Sequence, residues 1–564
     1  MNILTAAQLY INEIVQLAGP GLKIILMDKE TTSIVSCTYS QSEMMQKEVY
    51  LFDRIDATTQ GDALKYVKAV VFLRPTTKNI QLLCEEVKNP KYSQYYVNFS
   101  NLISKAEVKK LAEADNKELI KDLNEFYLDY IPLSTNLASL GIKDCYEEGS
   151  FELSSDCLAR SVQMLTALSL SFKRKPSVRY LKASSNAVKL AEAMDRLFIR
   201  DDQLFESCSE EVLILILDRS EDAVTPLLNQ WTYEAMVNEL VGITNNRVKL
   251  NMLTTDQKGH EKREDKNYVL NCLQDEFYAE NMYLNFGEIG QNIKKLMSDF
   301  QIKAKTHQEL ESVSDMKKFI EDYPQFKKIS GTVSMHVQLV GELSAIVAKE
   351  KLMEVSELEQ MMAANGDHST CLGNTKRLIQ DRDVNENNCL RLAMLYALRF
   401  EEHLNNSLPT LLSLLRSRQI AESKISAVRN IISFGGIKSR QNDLFKNQSA
   451  SEMAKRFIKG FKGVENIYTQ HEPYIIHVLE SLVRNRLSES AFPHVRDSNG
   501  GSSLRRVESV ILHVIGGATY EESAAVNAFN LKSRQNPSYP NVVLSSNWVH
   551  TTGSFVEALS KGKH

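Results

Sequence analysis

The chain has 564 residues, more than one hydrophobic core usually supports, so roughly two to four structural units are expected. Hydrophobic residues make up 43% and charged residues 24%, an ordinary globular balance that excludes disorder over most of the chain. The formal net charge of -4 supplies no global field for nucleic acid or an anionic membrane, and no window approaches the roughly 20 uninterrupted apolar residues of a bilayer span.

The first predicted element is a helix over residues 3–18. It places Ile3, Ala7, Tyr10, Ile14 and Ala18 at core-facing helical spacing, without a basic leader or a cleavage site. Gly19-Pro20-Gly21 ends it. Residues 22–27, 49–52, 68–73 and 95–99 are short apolar runs expected as strands, and 33–37 as a further extended piece. Such runs separated by helical stretches predict an open, largely parallel α/β sheet.

Residues 126–133 read as extended and open a second α/β unit. Helices follow over 154–171 and 184–199, split by a loop at 173–176. Residues 212–217 (VLILIL) form a strongly buried strand. Residues 509–514 have the same character, followed by Gly516-Gly517, a helix from residue 520 and a strand at 542–545. These late strands are expected to join the 131–225 sheet. Between them helical signals dominate: 291–305 and 337–362 carry apolar residues three and four apart, and 390–400 is apolar nearly all round. The polar stretches 256–265 and 438–451 read as loops. The expected organisation is α/β plus α: residues 1–130, then 131–225 joined by 501–564, then a mainly helical unit over 226–500.

No motif points to a cofactor or a metal. A dinucleotide site needs glycines after a strand, where backbone can approach a pyrophosphate. Gly19-Pro20-Gly21 precedes its strand, and Gly516-Gly517 lacks a third glycine at the needed spacing. Gly373-Asn374-Thr375-Lys376 lacks the order of a phosphate loop. His471 and His477 are six apart with Pro473 between, so one helical turn does not bring both rings to one ion. Asp218, Glu221 and Asp222 sit at a strand end, where carboxylates hold turns and cap helices. The eight cysteines form no C-x-x-C pair and read as free thiols in a reducing compartment. The sequons at Asn98, Asn405 and Asn447 then read as chance matches.

One stretch has architectural physics. The 212–217 strand gives way to Asp218-Arg219, Pro226 suits a helical first turn, and Trp231 and Tyr233 supply large apolar area with polar tips. Asp218, Arg219, Asp222, Thr225, Pro226, Leu227, Leu228, Gln230, Trp231, Thr232 and Tyr233 resemble the D-R-x-x-D-x-x-T-P-L-L-x-Q-W-T-Y signature of the SM (Sec/Munc) family. Gly516-Gly517-Ala518-Thr519-Tyr520-Glu521-Glu522 resembles its late G-G-x-T-Y-E-E. Residues 26–36 and 47–52 resemble the endosomal and trans-Golgi branch of that family.

The resemblance implies a three-domain arch with two open α/β sheets and a large helical domain bearing a helical hairpin. It implies a non-enzymatic SNARE-binding regulator of membrane fusion, peripheral to Golgi and endosomal membranes through its SNARE partner. A monomer that binds no nucleic acid and inserts no segment into the membrane is expected. The implied partners are a syntaxin-type SNARE of the trans-Golgi or endosome, its N-terminal peptide and the assembled SNARE bundle. Carried over, the peptide pocket falls on Val108, Leu111, Ile120, Leu123 and Glu125, with Ile120 and Leu123 read as one helical face. Pro324 matches the hairpin hinge, and Val333, Val337, Val340 and Ser344 the face that grips a SNARE helix. An amphipathic face is core by default, so packing is the competing reading at both places. The rival functions are a vesicle-tethering scaffold and a nucleotide-dependent α/β enzyme.

Overall fold

The computed structural model describes residues 2–57, 63–205, 210–255, 261–308, 313–364, 366–442, 444–445, 471–496 and 507–562. Helix α1 (Ile3–Leu17) starts at Asn2, whose side chain accepts from the Leu4 and Thr5 amides, and it buries Ile3, Ala7, Ile11 and Ile14. Strand β1 (Lys23–Met27), α2 (Lys29–Thr38), α3 (Gln41–Gln46), β2 (Val49–Arg54), β3 (Leu64–Leu73), α4 (Thr77–Lys88), β4 (Tyr92–Phe99), α5 (Lys105–Ala114) and β5 (Ile120–Glu125) follow. The five strands form a parallel sheet in the order β2-β1-β3-β4-β5. Ile24, Leu26, Val71 and Val97 face one core, while Ile25, Met27, Val70 and Phe72 face another. Burial on both faces is why these strands read as unbroken apolar runs.

Two expectations fail in this unit. Residues 33–37 are helical, within α2, because Asp28 and Thr31 build a capping box that starts a helix straight after β1. Residues 120–125 form a strand. Its apolar residues three apart mimic a helix face, and a register shift opposite Tyr95 and Tyr96 produces that spacing.

The second sheet takes strands from both ends of the chain. Strands β6 (Ile131–Pro132) and β7 (Leu137–Ser139) lead to α6 (Ser155–Ser171), β8 (Arg174–Tyr180), α7 (Ser185–Arg200) and β9 (Glu210–Asp218). The order is β6-β7-β13-β12-β9-β8, where β12 is Ser509–Ile515 and β13 is Asn541–Ser546. All its pairings are parallel except β6 with β7. The 173–176 segment, expected as a loop, enters edge strand β8. There Lys175 lies opposite Glu211, an opposite-charge pair in a stretch that carries no apolar signal.

The helical region holds α8 (Tyr233–Leu240), the antiparallel hairpin β10 (Arg247–Thr255) and β11 (Glu261–Val269), α9 (Glu276–Asn281), α10 (Phe286–Gln308), α11 (Val313–Lys349), α12 (Leu352–Ala363), α13 (His368–Gln380), α14 (Glu386–Arg399), α15 (Leu408–Ser417), α16 (Glu422–Gly435) and α17 (Tyr474–Val483). Of the expected 256–265 loop, 261–265 belong to β11 and the rest lies outside the described residues. Half of 438–451 also lies outside them. The expected 337–362 helix breaks at Lys351, which takes a left-handed φ of 53° and pairs with Asp381 and Asp383. Helix α14 is buried from Asn388 to Leu398, as its all-round apolar sequence predicts. Helices α18 (Tyr520–Gln535) and α19 (Thr552–Lys561) close the chain against the second sheet and the helical core. Cys37, Cys145, Cys157, Cys371 and Cys389 are buried free thiols, Cys84 and Cys272 are half-buried, and Cys208 lies outside the described residues.

Candidate functional site

The first sheet ends in edge strand β5, with α5 packed over one face. The register shift sets Ile120 opposite Tyr95, Leu123 opposite Val97 and Glu125 opposite Phe99. Tyr95, Val97 and Phe99 belong to one core cluster, and Ile120 and Leu123 pack half-buried against it. A regular strand would send positions three apart to opposite faces; the extra residue restores them to one. Leu111 of α5 is 1% exposed in the same cluster, and Val108 lies half-buried one turn earlier. Glu125 is exposed, and its carboxylate accepts the Ile103 amide at 2.7 Å, tying the loop before α5 to the strand end. Leu111, Ile120 and Leu123 therefore meet, with Val108 and Glu125 at the rim.

The other expected surface lies on the α10–α11 hairpin. Helix α11 runs on through Pro324. Met335, Leu339, Leu343 and Val347 are buried in a core with Ile289 and Ile293 of α10. Val333 is buried, Val337 and Val340 are half-buried beside that core, and Ser344 is exposed, bonded back to the Val340 carbonyl at 2.8 Å. His336, on the same helix, is fully buried: its Nδ1 lies 2.7 Å from the Tyr233 hydroxyl and its Nε2 3.0 Å from Asp275. No sequence pattern marked His336, because its partners come from two other elements. It pins the root of the hairpin to the last residue of the junction motif.

The junction itself is a rigid corner. Asp218 accepts the Ser220 amide at 3.0 Å, and Asp222 accepts the Val224 and Thr225 amides at 3.1 and 2.9 Å. Pro226 sits in the short 3-10 turn Thr225–Leu227. Burial pushes the Asp222 carboxyl up, but Arg219, His471 and the Thr225 hydrogen bonds outweigh it and leave the group below its usual range. Arg219 forks onto Glu522 with two bonds of 2.8 Å, joining the junction motif to the late motif. Trp231 donates to Ser356 at 3.1 Å, and Arg391 pairs with Glu359 at 2.6 Å beneath it.

The carboxyl end of β12 is where a doubly wound sheet takes a nucleotide. Here that crevice is filled by protein. Gly516 and Gly517 hold left-handed φ values of 87° and 108°, and a Cβ on them would collide with Tyr146 and His550. At the start of α18, Glu522 caps Thr519, putting a carboxylate where a phosphate would bind.

The first unit meets the helical region through α2 and α3. The Asn246 and Asn271 amides donate to the Cys37 carbonyl, and Gln274 donates to Glu43 at 2.8 Å. Just beyond this seam, Met45 of α3 and Tyr50, Leu51 and Phe52 of edge strand β2 are all exposed. Tyr50 and Phe52 share one face of the strand and Leu51 lies on the other. In the sequence, 49–52 read only as a strand, since exposure is a tertiary property.

A profile of the Sec1 family matches residues 23–558. Vacuolar protein sorting-associated protein 45 of Mus musculus is 48% identical, covering 100% of this chain and 97% of that protein. The solved SM protein Vps45 in complex with the Qa SNARE Tlg2 aligns at a TM-score of 0.88 and 38% identity, over 99% of this chain and 98% of that one. The Unc18–syntaxin 1 complex from Monosiga brevicollis shares the fold at a TM-score of 0.80 and 20% identity, over 100% of both chains. The junction corner, the Arg219–Glu522 fork and these full-length matches agree, and the chain belongs to the Sec1 family.

Proposed function

We propose that this chain is a SNARE-binding regulator of vesicle docking and fusion in trans-Golgi and endosomal transport. One observation carries the reading: its full-length likeness, at 38% identity, to Vps45 solved with the Qa SNARE Tlg2. The N-terminal peptide of a syntaxin docks on the α5–β5 rim, around Val108, Ile120, Leu123 and Glu125 over Leu111. SNARE helices lie between the first unit and the hairpin, gripped by Val333, Val337 and Val340, with Pro324 as hinge and Tyr50, Leu51 and Phe52 on the facing side. The chain divides into 1–130, 131–225 with 501–564, and 226–500. It acts by binding alone and reaches Golgi and endosomal membranes through its SNARE.

The mechanism is entropic. Ordering a disordered helix costs about 1–2 kcal/mol per residue of backbone. A stiff groove holding two such helices in register lowers the cost of nucleating their coiled coil. The peptide tether raises the syntaxin's effective concentration at that groove. Liposomes carrying the cognate SNAREs are expected to fuse faster with this protein present; unchanged rates with folded protein would sink the reading.

A further inference from the structure

The first unit carries a second concave surface. Helices α4 and α5 leave a cleft of 370 Å³ between them, and none of Val108, Leu111, Ile120, Leu123 or Glu125 lines it. Its floor is Ile80 and Ala114, both 3% exposed, with half-buried Cys84 reaching the Lys110 carbonyl at 3.8 Å. Lys88 and Lys110 stand at the walls. The acids of the lining are turned elsewhere: Glu107 accepts from Ser104 at 2.9 Å, and Glu113 pairs with Lys109 at 3.7 Å. Among the described residues neither Lys88 nor Lys110 has an ion-pair partner. Burial pushes the Cys84 thiol up, while the ammonium groups of Lys88 and Lys110 pull it back.

We propose that the α4–α5 cleft docks an extended acidic segment of a partner protein. An apolar side chain of the segment rests on Ile80 and Ala114, and its carboxylates answer Lys88 and Lys110. The lining runs from Thr77 to Lys88 of α4. At about 1.5 Å per residue that is about 16 Å, the reach of about five extended residues. The surface is separate from the α5–β5 rim, so the proposal stands or falls apart from the syntaxin-peptide assignment.

The test uses the full chain and a fluorescein-labelled peptide, Glu-Asp-Leu-Glu-Asp-Leu-Glu. Its anisotropy is expected to rise saturably and to weaken with salt. Joint Lys88→Glu and Lys110→Glu is expected to reduce affinity by about tenfold or more, while Leu123→Arg leaves it unchanged. Bound peptide is expected to slow iodoacetamide alkylation of Cys84 but not of half-buried Cys272. Three outcomes would overturn the proposal: no saturable binding, binding indifferent to the double charge reversal, or phosphatidylserine vesicles shielding Cys84 where the peptide does not.

Discussion

Arg219 and Glu522 are at most 1% exposed, so removing one strands the other away from water. An uncompensated buried charge costs about 3–5 kcal/mol. Asp222 remains 4.0 Å from Arg219, so Glu522→Gln is expected to destabilise the protein by up to that amount, seen as a lower calorimetric midpoint; an unchanged midpoint would show that the pair is not what holds the corner. His550 gives a pH-dependent counterpart. Burial holds its imidazole down from 6.5 to about 4, with Nε2 against the Gly516 carbonyl at 2.8 Å. Between about 4 and 6.5 the unfolded chain binds this proton and the folded one does not, so the stability is present above pH 6.5 and lost as pH falls through that window. The deficit of His550→Asn is therefore expected to shrink from pH 7 to pH 5 in thermal melts. A deficit independent of pH would contradict the assignment.

At the scale of elements, the proposed function rests on β5 and α11. Leu123→Arg puts a guanidinium where the half-buried leucine packs against Val97 and Tyr95. Calorimetric titration with the syntaxin N-terminal peptide is expected to lose most of its heat in this variant, and equal heats would remove the pocket from β5. Proline within a helix costs about 3 kcal/mol relative to alanine, and α11 runs across Pro324. Pro324→Ala is expected to slow amide exchange along α11; unchanged exchange would deny it the role of hinge. These two elements also show what periodicity can and cannot reveal. The long face of α11 repeats every three to four residues and is visible at once. Strand β5 imitated a helix because one bulge converted a period of two into a spacing of three.

For the whole molecule, a cluster of charged side chains ties the first sheet to α6. Arg160 of α6 reaches Glu30 at 2.7 Å and Asp129 at 3.2 Å, and Arg74 reaches Asp129 at 3.6 Å. Burial pushes the Asp129 carboxyl up to about 6, against the pull of Arg74. The folded protein thus holds this proton to higher pH than the unfolded chain, and this contribution to stability falls as pH rises from 3.8 to about 6. Arg160→Met deprives the ionised carboxylate of a partner. Faster amide exchange at 126–130 is expected, most clearly above pH 6; equal exchange at every pH would show that Arg74 suffices.

Strands buried on both faces, helices with an apolar stripe and the junction motif were legible in one dimension, because burial and helix starts are written in local residue order. Strands β5, β8, β10 and β11 were not, since they lie at sheet edges or in a lone hairpin, where few residues are buried and charge or turn geometry does the pairing. Arg219 and Glu522 are 303 residues apart, and His336 is 103 from Tyr233 and 61 from Asp275. Such meetings depend on how the strands cross over into one sheet and how the helices stack. Local order therefore declared the family and most elements, while chain-distant packing decided which side chains share a surface.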